Sequence, residues 1–191
     1  MTPSHVAEVT QLHQRLLSGL LTDLGPHAIS YFYKTALEVP GIHAWVAIDD
    51  QKILGFALAT EWGPGLYDRV FRHSPLRGIG SVGSDLFSRP AALITTAWWF
   101  LKGRPADPAF DAPEFVYLAV DPAGRGGGFA HFLFKQVYDL FRDKGFAQFQ
   151  LSVAADNGPA QGFFENMGGQ RLSTYEEGGI QRIRYAFRYD K

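Results

Sequence analysis

Residues 114–134 read EFVYLAVDPAGRGGGFAHFLF, and this stretch carries the strongest structural signal in the sequence. Its apolar and aromatic run at 115–120 is typical of a buried strand and stops at Asp121-Pro122. Three consecutive glycines follow at 126–128. Glycine loses more backbone freedom on folding than any other residue, so three together indicate a loop that something must approach closely.

The residues after the glycines have the spacing of an amphipathic helix. Arg142 and Lys144 lie near its end, where the helix dipole favours cations, and Gly145 suits the position just after a helix. The first backbone N–H groups of such a helix have no internal acceptor, so the loop at 125–130 is a candidate anion site. The helix prediction rests on one apolar stripe, formed by Phe129, Phe132, Leu133, Val137, Leu140 and Phe141.

The glycines do not fit two common phosphate-binding motifs. A dinucleotide fingerprint requires G-x-G-x-x-G, and in the two available frames Phe129 or His131 stands at the third glycine. No Gly-Lys-Ser/Thr follows, which excludes a Walker sequence. The pattern that does fit is R-x-x-G-x-A, at Arg125, Gly128 and Ala130.

Composition excludes several classes of protein. The chain has 191 residues and is 46% hydrophobic, so it can build the core of one ordinary domain. Its net charge of −1 gives no sign of nucleic acid as a partner. The absence of cysteine excludes disulfides and a cysteine nucleophile, and the six histidines lack metal-ligand spacing. With neither a secretory signal nor an apolar run long enough to span a bilayer, we expect a cytoplasmic protein without membrane contact.

The remaining segments predict a mixed α/β domain, with two helices and a hairpin before the opening stretch. Ser4 is expected to cap the first helix, and Asn157 or Asp156 the last. From 62 to 113 the pattern is irregular, and we interpret it as an insertion. The predicted elements are helices at 6–21, 26–37 and 91–102, strands at 44–48, 53–60, 115–120, 147–153, 171–175 and 181–189, and a short helix that ends at Gly168-Gly169.

The role of the insertion stays open at the level of sequence. Its tryptophan pair, Trp98 and Trp99, suits core packing, a homodimer contact or substrate binding. Its mildly basic character would suit an anionic acceptor, but a solvated face explains it equally well. The cations concerned are Arg69, Arg72, His73, Arg77 and Arg89.

Two segments together resemble the GNAT acyltransferases, which use acetyl-CoA. The first, at 120–122 and 125–130, is similar to the end of the family's fourth strand and to its Gln/Arg-x-x-Gly-x-Gly/Ala pyrophosphate loop. The second comprises Asn157, Ala160 and the run FFENMG at 163–168, and is similar to the family's Asn-x-x-Ala…Phe-Tyr-Glu-Lys-x-Gly-Phe segment. A glycine loop alone would be weak evidence, but the two segments with a strand between them are specific.

The resemblance covers 114–169 well and implies a fold and a cofactor. The fold is an α/β GNAT domain over 1–191, with a central mixed β-sheet flanked by helices and an insertion at about 62–113. Backbone amides of the loop would bind the pyrophosphate of coenzyme A, and the fourth strand would pair with its pantetheine arm. The implied contacts are Arg125, Gly126, Gly127, Gly128, Phe129 and Ala130 to the pyrophosphate, and Leu118, Ala119, Val120 and Asn157 to the arm.

The reaction needs a base, since an amine must lose a proton to attack a thioester. EFVYLAV resembles the Glu-x-Val-x-x-Ala strand of the histone-acetyltransferase branch, which makes Glu114 the first candidate; the alternative is a solvated carboxylate at a strand start. Glu61 is the second candidate. Strand parity would put Glu114, Val116 and Leu118 on one face unless a bulge intervenes.

An acid that protonates the leaving thiolate is less easily assigned. In many family members it is the tyrosine of the Phe-Tyr pair, but Phe164 holds that position among the cofactor contacts and cannot donate a proton. Tyr175 or Tyr117 could replace it, or activity could be lost. His131 and Glu165 are expected on helix surfaces.

The expected function is therefore an N-acyltransferase that moves an acetyl or short acyl group from CoA to an amine. The acceptor would be a small molecule or peptide that attacks directly in a ternary complex, without a covalent enzyme intermediate. The alternatives are a non-catalytic acyl-CoA-binding or regulatory module of the same fold, a nucleotide-binding domain of another class, and a purely structural interaction protein.

Overall fold

The computed structural model describes residues 1–63, 65–75, 77–78, 112–177 and 179–189. The predicted helix at 91–102, its tryptophan pair and Arg89 lie outside these residues.

Within the described residues the predicted helices and strands occur in the predicted order, with one additional helix, Leu66–His73, in the segment interpreted as an insertion. None of these helices combines the length and the apolar character that crossing a bilayer demands. The helices are α1 (Val6–Leu16), α2 (Leu20–Leu24), α3 (Pro26–Ala36), α4 (Leu66–His73), α5 (Phe129–Asp143) and α6 (Gly158–Asn166), with short 3₁₀ turns at Pro3–His5 and Pro122–Gly124. The strands are β1 (Ile42–Asp49), β2 (Lys52–Thr60), β3 (Glu114–Val120), β4 (Gln148–Ala154), β5 (Gln170–Glu177) and β6 (Ile180–Arg188).

The strands form one six-stranded mixed sheet in the order β1-β2-β3-β4-β6-β5. All neighbours are antiparallel except β3 and β4, which are parallel. A parallel pair requires a crossover, and α5 provides it. The mixed sheet flanked by helices confirms the predicted fold class.

The parallel strands β3 and β4 pair over only two residues each. Glu114 pairs with Gln150 and Phe115 with Leu151, and no later residues of β3 and β4 pair in the described sheet. Beyond these two pairs each strand keeps only its outer neighbour, β2 for β3 and β6 for β4. The result is a gap between 116–120 and 152–154, which we call the wedge.

Two apolar layers cover the two faces of the sheet. On one face α1 and α3 pack against the sheet, with Val9 and Phe32 fully buried. On the other, α5 and α6 cover an aromatic layer that includes Phe134 and Phe149. Each side chain of this size contributes roughly 1.5–3 kcal/mol when buried. The strands on both sides of the wedge are thus supported by these apolar layers.

A β-bulge at Val116 changes which face each residue of β3 presents. Leu58 of β2 lies opposite Tyr117, but the next residue of β2 lies opposite Phe115, so Val116 is the extra residue. Glu114 therefore shares a face with Tyr117, and Leu118 lies on the opposite face. The parity that would group Glu114 with Leu118 holds only for a strand without a bulge, and the extra residue reverses every later position.

The first predicted helix is in fact two. α1 ends at Leu16 and α2 begins at Leu20, because Gly19 between them has a φ of +123° that no helix accommodates. Ser4 lies inside the 3₁₀ turn, and His5 precedes α1. The hairpin, the strand before the glycines and the helix after them are confirmed.

A buried histidine in α1 makes folding stability depend on pH. His13 is 1% exposed and its Nδ1 lies 2.8 Å from the hydroxyl oxygen of Tyr33. Burial lowers the pKa of His13 to about 4. The unfolded chain, with a histidine pKa of about 6.5, binds the proton first as pH falls, so stability is full above that value and decreases below it.

We therefore expect the free energy of unfolding to fall by about 2 kcal/mol between about pH 7 and pH 5 from this group alone. Urea unfolding at both pH values measures it. The matched control is His13→Gln, which keeps a hydrogen-bonding group but does not titrate and should lose less over the same interval. An equal loss in both proteins would show that other groups cause it.

Candidate active site

Two different steric reasons explain why the loop at 124–128 contains glycines. Gly126 and Gly128 have φ values of +82° and +77°, and a Cβ added at either would meet nothing within 4 Å. Gly124 and Gly127 instead lie over the ring of Phe129, where a Cβ would come within 3.0 Å and 2.8 Å of ring carbons. The Phe129 ring is thus packed under the loop, and the surface above the loop is open.

Two of the six amides assigned to pyrophosphate binding are used within the loop. Arg125 N donates to the carbonyl of Pro122 at 3.2 Å, and Gly127 N donates to that of Gly124 at 3.2 Å. In the described part of the chain, no protein hydrogen bond uses the other four amides, which leaves them available to an anion at the start of α5. These four belong to Gly126, Gly128, Phe129 and Ala130.

The second motif segment is divided between a helix cap and the core. Asn157 Oδ1 accepts a hydrogen bond from Ala160 N at 3.1 Å, which makes Asn157 the N-cap of α6. Phe164 is 7% exposed and packs edge-on against Phe115, with ring centroids 6.3 Å apart. Phe164 therefore supports the closed end of the wedge from the α5 and α6 side.

The edge of β3 that borders the wedge is free of a strand partner in the described sheet. Leu118, Ala119 and Val120 pair with β2 on one side only. Because the amides and carbonyls of a strand alternate between its two edges, part of this backbone faces the wedge. An extended chain laid in the wedge would find donors and acceptors there.

A cavity of about 130 Å³ lies at the closed end of the wedge, on the face opposite α5. It joins residues from β3, β4, β5 and β6 with the start of α4. Its polar side chains include those of Tyr67, Glu114, Tyr117, Ser152, Tyr175 and Arg184. The cavity thus brings together two of the predicted catalytic residues, Glu114 and Tyr175.

The third predicted catalytic residue, Glu61, does not line this cavity. Its Oε1 lies 2.6 Å from His43 Nε2 and 3.1 Å from Lys144 Nζ, at the far end of α5. The hydrogen bond from His43, assisted by that from Lys144, lowers the pKa of Glu61. A carboxylate held ionised by two partners is a weak proton acceptor.

A buried arginine links the two catalytic candidates in the cavity. Arg184 of β6 is 2% exposed, and its Nη1 lies 3.7 Å from Glu114 Oε1. Its Nη2 donates to the Tyr175 hydroxyl at 3.0 Å, and that hydroxyl donates to Ser152 Oγ at 2.7 Å. The sequence alone did not identify Arg184 or Ser152.

Two further tyrosines keep the opposite wall of the cavity uncharged. The hydroxyls of Tyr67 and Tyr117 are hydrogen-bonded to each other. Burial raises the pKa of Tyr67, and it raises that of Tyr117 well above its usual value. Tyr117, considered above as a replacement acid, is therefore a reluctant proton donor.

The two residues expected on helix surfaces are found there. His131 is exposed and its ring lies edge-on to Phe163, with centroids 5.0 Å apart. Glu165 is exposed and accepts hydrogen bonds from Arg171 at 2.6 Å and from Tyr185 at 2.9 Å.

Comparison with known proteins gives a family match over part of the chain and a shared fold over nearly all of it. Residues 92–168 match the profile of the Acetyltransferase (GNAT) family. No curated protein matches the chain. Solved structures match over nearly its whole length at low sequence identity, which shows a shared fold.

Three of these structures illustrate the likeness. An N-acetyltransferase from Staphylococcus aureus Mu50 is 11% identical, with a TM-score of 0.61, and the match covers 98% of this chain and 94% of that one. The PaiA N-acetyltransferase from Thermoplasma acidophilum, solved with coenzyme A, is 10% identical, with a TM-score of 0.60 and coverage of 99% and 96%. The ribosomal-protein-S18-alanine N-acetyltransferase from Escherichia coli is 14% identical, with a TM-score of 0.59 and coverage of 98% and 90%. The chain is thus similar to the GNAT acetyltransferase family over residues 92–168, and it shares the fold of these N-acetyltransferases over nearly its whole length.

Proposed function

We propose that this protein transfers an acetyl or short acyl group from CoA to an amine that attacks the thioester directly. The observation that carries the proposal is the wedge, which has the glycine loop at its open end and the cavity with Glu114 at its closed end. The five residues of β3 between them, 116–120, span roughly 17 Å at 3.3 Å per residue. That length suits an extended pantetheine arm.

The open end of the wedge would hold the cofactor. The amides of Gly126, Gly128, Phe129 and Ala130 would bind the pyrophosphate, since they have no protein acceptor among the described hydrogen bonds and the positive φ values keep the surface open. The free edge of 118–120 would pair with the arm. Asn157 can add a contact through its amide group while its Oδ1 caps α6.

At the closed end Glu114 would accept the proton of the amine. It lies on β3 where pairing with β4 stops, so a thioester at the bottom of the wedge is beside it. The amine nitrogen then attacks the carbonyl carbon, and the negative charge on the carbonyl oxygen is met by a backbone N–H of β3. The bond to sulfur breaks, and the products are the amide and the CoA thiol.

A rate assay with an amine panel tests the proposal. The release of CoA thiol is measured with acetyl-CoA and spermidine, glycine, a peptide with a free N-terminus and an arylamine. Turnover with any of these supports the transferase. The rival, a non-catalytic acyl-CoA-binding module suggested by Phe164, predicts calorimetric binding of acetyl-CoA without turnover across the panel. Affinity for NAD or ATP in preference to CoA would contradict both.

The glycine loop gives a prediction with a matched control in the same helix. Gly128 and Gly145 flank the two ends of α5, and both have a φ of +77° with open space around a Cβ. Alanine at either should cost about 1–2 kcal/mol of stability, because a Cβ in this region is strained. Only Gly128→Ala should also weaken CoA binding in calorimetry, since only it reorients amides at the anion site. Equal affinities in the two variants would remove the loop from the cofactor site.

A further inference from the structure

The cavity contains a hydrogen-bonded chain that the assignment of Glu114 leaves without a role. Arg184 donates to Tyr175 at 3.0 Å, and Tyr175 donates to Ser152 at 2.7 Å. Because the Tyr175 proton already occupies Ser152 Oγ as an acceptor, the proton of Ser152 itself is directed to another group. Hydrogen-bond donation therefore runs in one direction, from the buried guanidinium of Arg184 through Tyr175 to Ser152.

Ser152 lies beside the closed end of the wedge. On β4, Gln150 and Leu151 are the last residues that pair with β3, so Ser152 is the first residue past the point where the wedge opens. Its side chain is half-buried and lines the cavity on the same face as Glu114. A group at the bottom of the wedge thus has Glu114 on the β3 side and Ser152 on the β4 side.

We propose that Ser152 is the acid that protonates the leaving thiolate, with Tyr175 and Arg184 as the positioning residues behind it. This inference rests on the proposed transferase function and goes beyond it. It also explains how Phe164, which has no proton to donate, can occupy the place of the family's tyrosine.

The proton transfers balance over one turnover. As the carbon–sulfur bond breaks, the electron pair goes to sulfur, which takes the proton of Ser152 Oγ. Ser152 takes the proton of Tyr175. The resulting phenolate is stabilised by the Arg184 guanidinium, whose Nη2 lies within hydrogen-bonding distance of the phenolate oxygen. Tyr175 regains a proton through water from Glu114, which took one from the amine. The amine proton therefore ends on the CoA thiol, and the enzyme returns to its starting state.

Acyl donors with different leaving groups test the assignment. With acetyl-CoA and the most active amine of the panel, Ser152→Ala should lower kcat about 100-fold or more, as expected for loss of a general acid. With 4-nitrophenyl thioacetate, whose leaving thiolate needs no proton, the same variant should keep the wild-type rate. Ser152→Thr keeps the hydroxyl in a residue that strands accommodate well and should retain activity with both donors.

Further variants separate the proton relay from a structural role. Tyr175→Phe should show the same selective loss with acetyl-CoA, because it removes the proton behind Ser152. Ser173→Ala, at a half-buried serine of β5 outside the cavity lining, is the control and should lose nothing with either donor. Melting temperature and CoA affinity are measured for each variant.

Two results would overturn the inference and leave the transferase standing. One is an unchanged rate of Ser152→Ala with acetyl-CoA. The other is an equal loss with both donors, which would mean that the serine only maintains the shape of the cavity. No turnover by the wild-type protein with any amine would overturn the proposed function and, with it, the inference.

Discussion

Replacing Glu114 with glutamine is expected to lower kcat for acetyl transfer about 10²- to 10⁴-fold, the range for loss of a general base. Glutamine has nearly the same shape and can occupy the same place beside Arg184, but it cannot take a proton from the amine. In the proposed function CoA binds through the loop at the other end of the wedge, so the affinity measured by calorimetry should not change. The measurement is steady-state release of CoA thiol with the most active amine of the panel.

Glu114→Gln should regain part of its lost activity when the amine substrate is already deprotonated in solution. Raising the pH of the assay increases the fraction of free amine, so the ratio between wild-type and Glu114→Gln rates should narrow as pH rises toward the pKa of the amine. If the substitution lowered the rate only by distorting the cavity, the ratio between wild-type and variant rates would not change with pH. This pH dependence distinguishes a missing base from a distorted cavity.

Glu61→Gln is the matched control, because Glu61 was the rival base. It removes a carboxylate that is bound by His43 and Lys144 outside the cavity, so it should leave kcat near the wild-type value. If Glu61→Gln instead loses activity and Glu114→Gln does not, the cavity is not the acceptor site. The Glu114 variant also removes the carboxylate charge 3.7 Å from Arg184 Nη1, and urea unfolding must confirm that the protein is still folded.

Local patterns in the sequence were enough to predict a mixed α/β domain, and the resemblance to a family implied the specific fold. The switch from a buried strand to a glycine loop and then to a 3.6-residue stripe at 129–141 identified the crossover unit, and the alternation at 147–153 identified β4. These patterns are local, because each residue's place follows from its neighbours in the chain. The open amides at Gly126, Gly128 and Ala130 agree with the anion site that was inferred from the same stretch.

The part of the site that sequence missed depends on contacts between distant strands. Arg182 and Arg184 alternate with Ile183 and Tyr185, so period two already puts the arginines on one face of β6. Nothing in that alternation shows that Arg184 lies against Glu114, 70 positions earlier in the chain, or that it is 2% exposed. The pairing order of the sheet determines both facts.

The bulge in β3 was allowed for, but its presence at Val116 could not be predicted, for a related reason. Parity along EFVYLAV assumes an unbroken ladder, and the extra residue at Val116 appears only in the register with β2. Its consequence is that Leu118 lies on the α5 side while Glu114 lies on the cavity side. The side chain of the proposed base and the side chain of Leu118 thus lie on different faces of one short strand.

Phe149→Ala is expected to destabilise the protein by about 3–5 kcal/mol, the usual cost of removing a fully buried phenylalanine. Phe149 lies on β4, is 0% exposed and stacks on Phe187, with ring centroids 4.8 Å apart and planes at 7°. It also contacts Phe141, at 5.4 Å between centroids. The measurement is the free energy of unfolding in urea. Phe132→Ala is the control, because Phe132 is 49% exposed and should change stability by no more than about 0.5 kcal/mol.

The same substitution should also affect the wedge. Beyond Leu151, β4 pairs only with β6 and no longer with β3. The aromatic layer that packs on the α5 face of the sheet is therefore needed to hold β4 in place. Phe149 and Phe187 face each other across that remaining pair. Losing this stack should therefore loosen the side of the wedge that carries Ser152, and CoA affinity should fall together with stability. A Phe149→Ala protein that loses stability but binds CoA as tightly as the wild type would show that the wedge does not depend on the layer behind it.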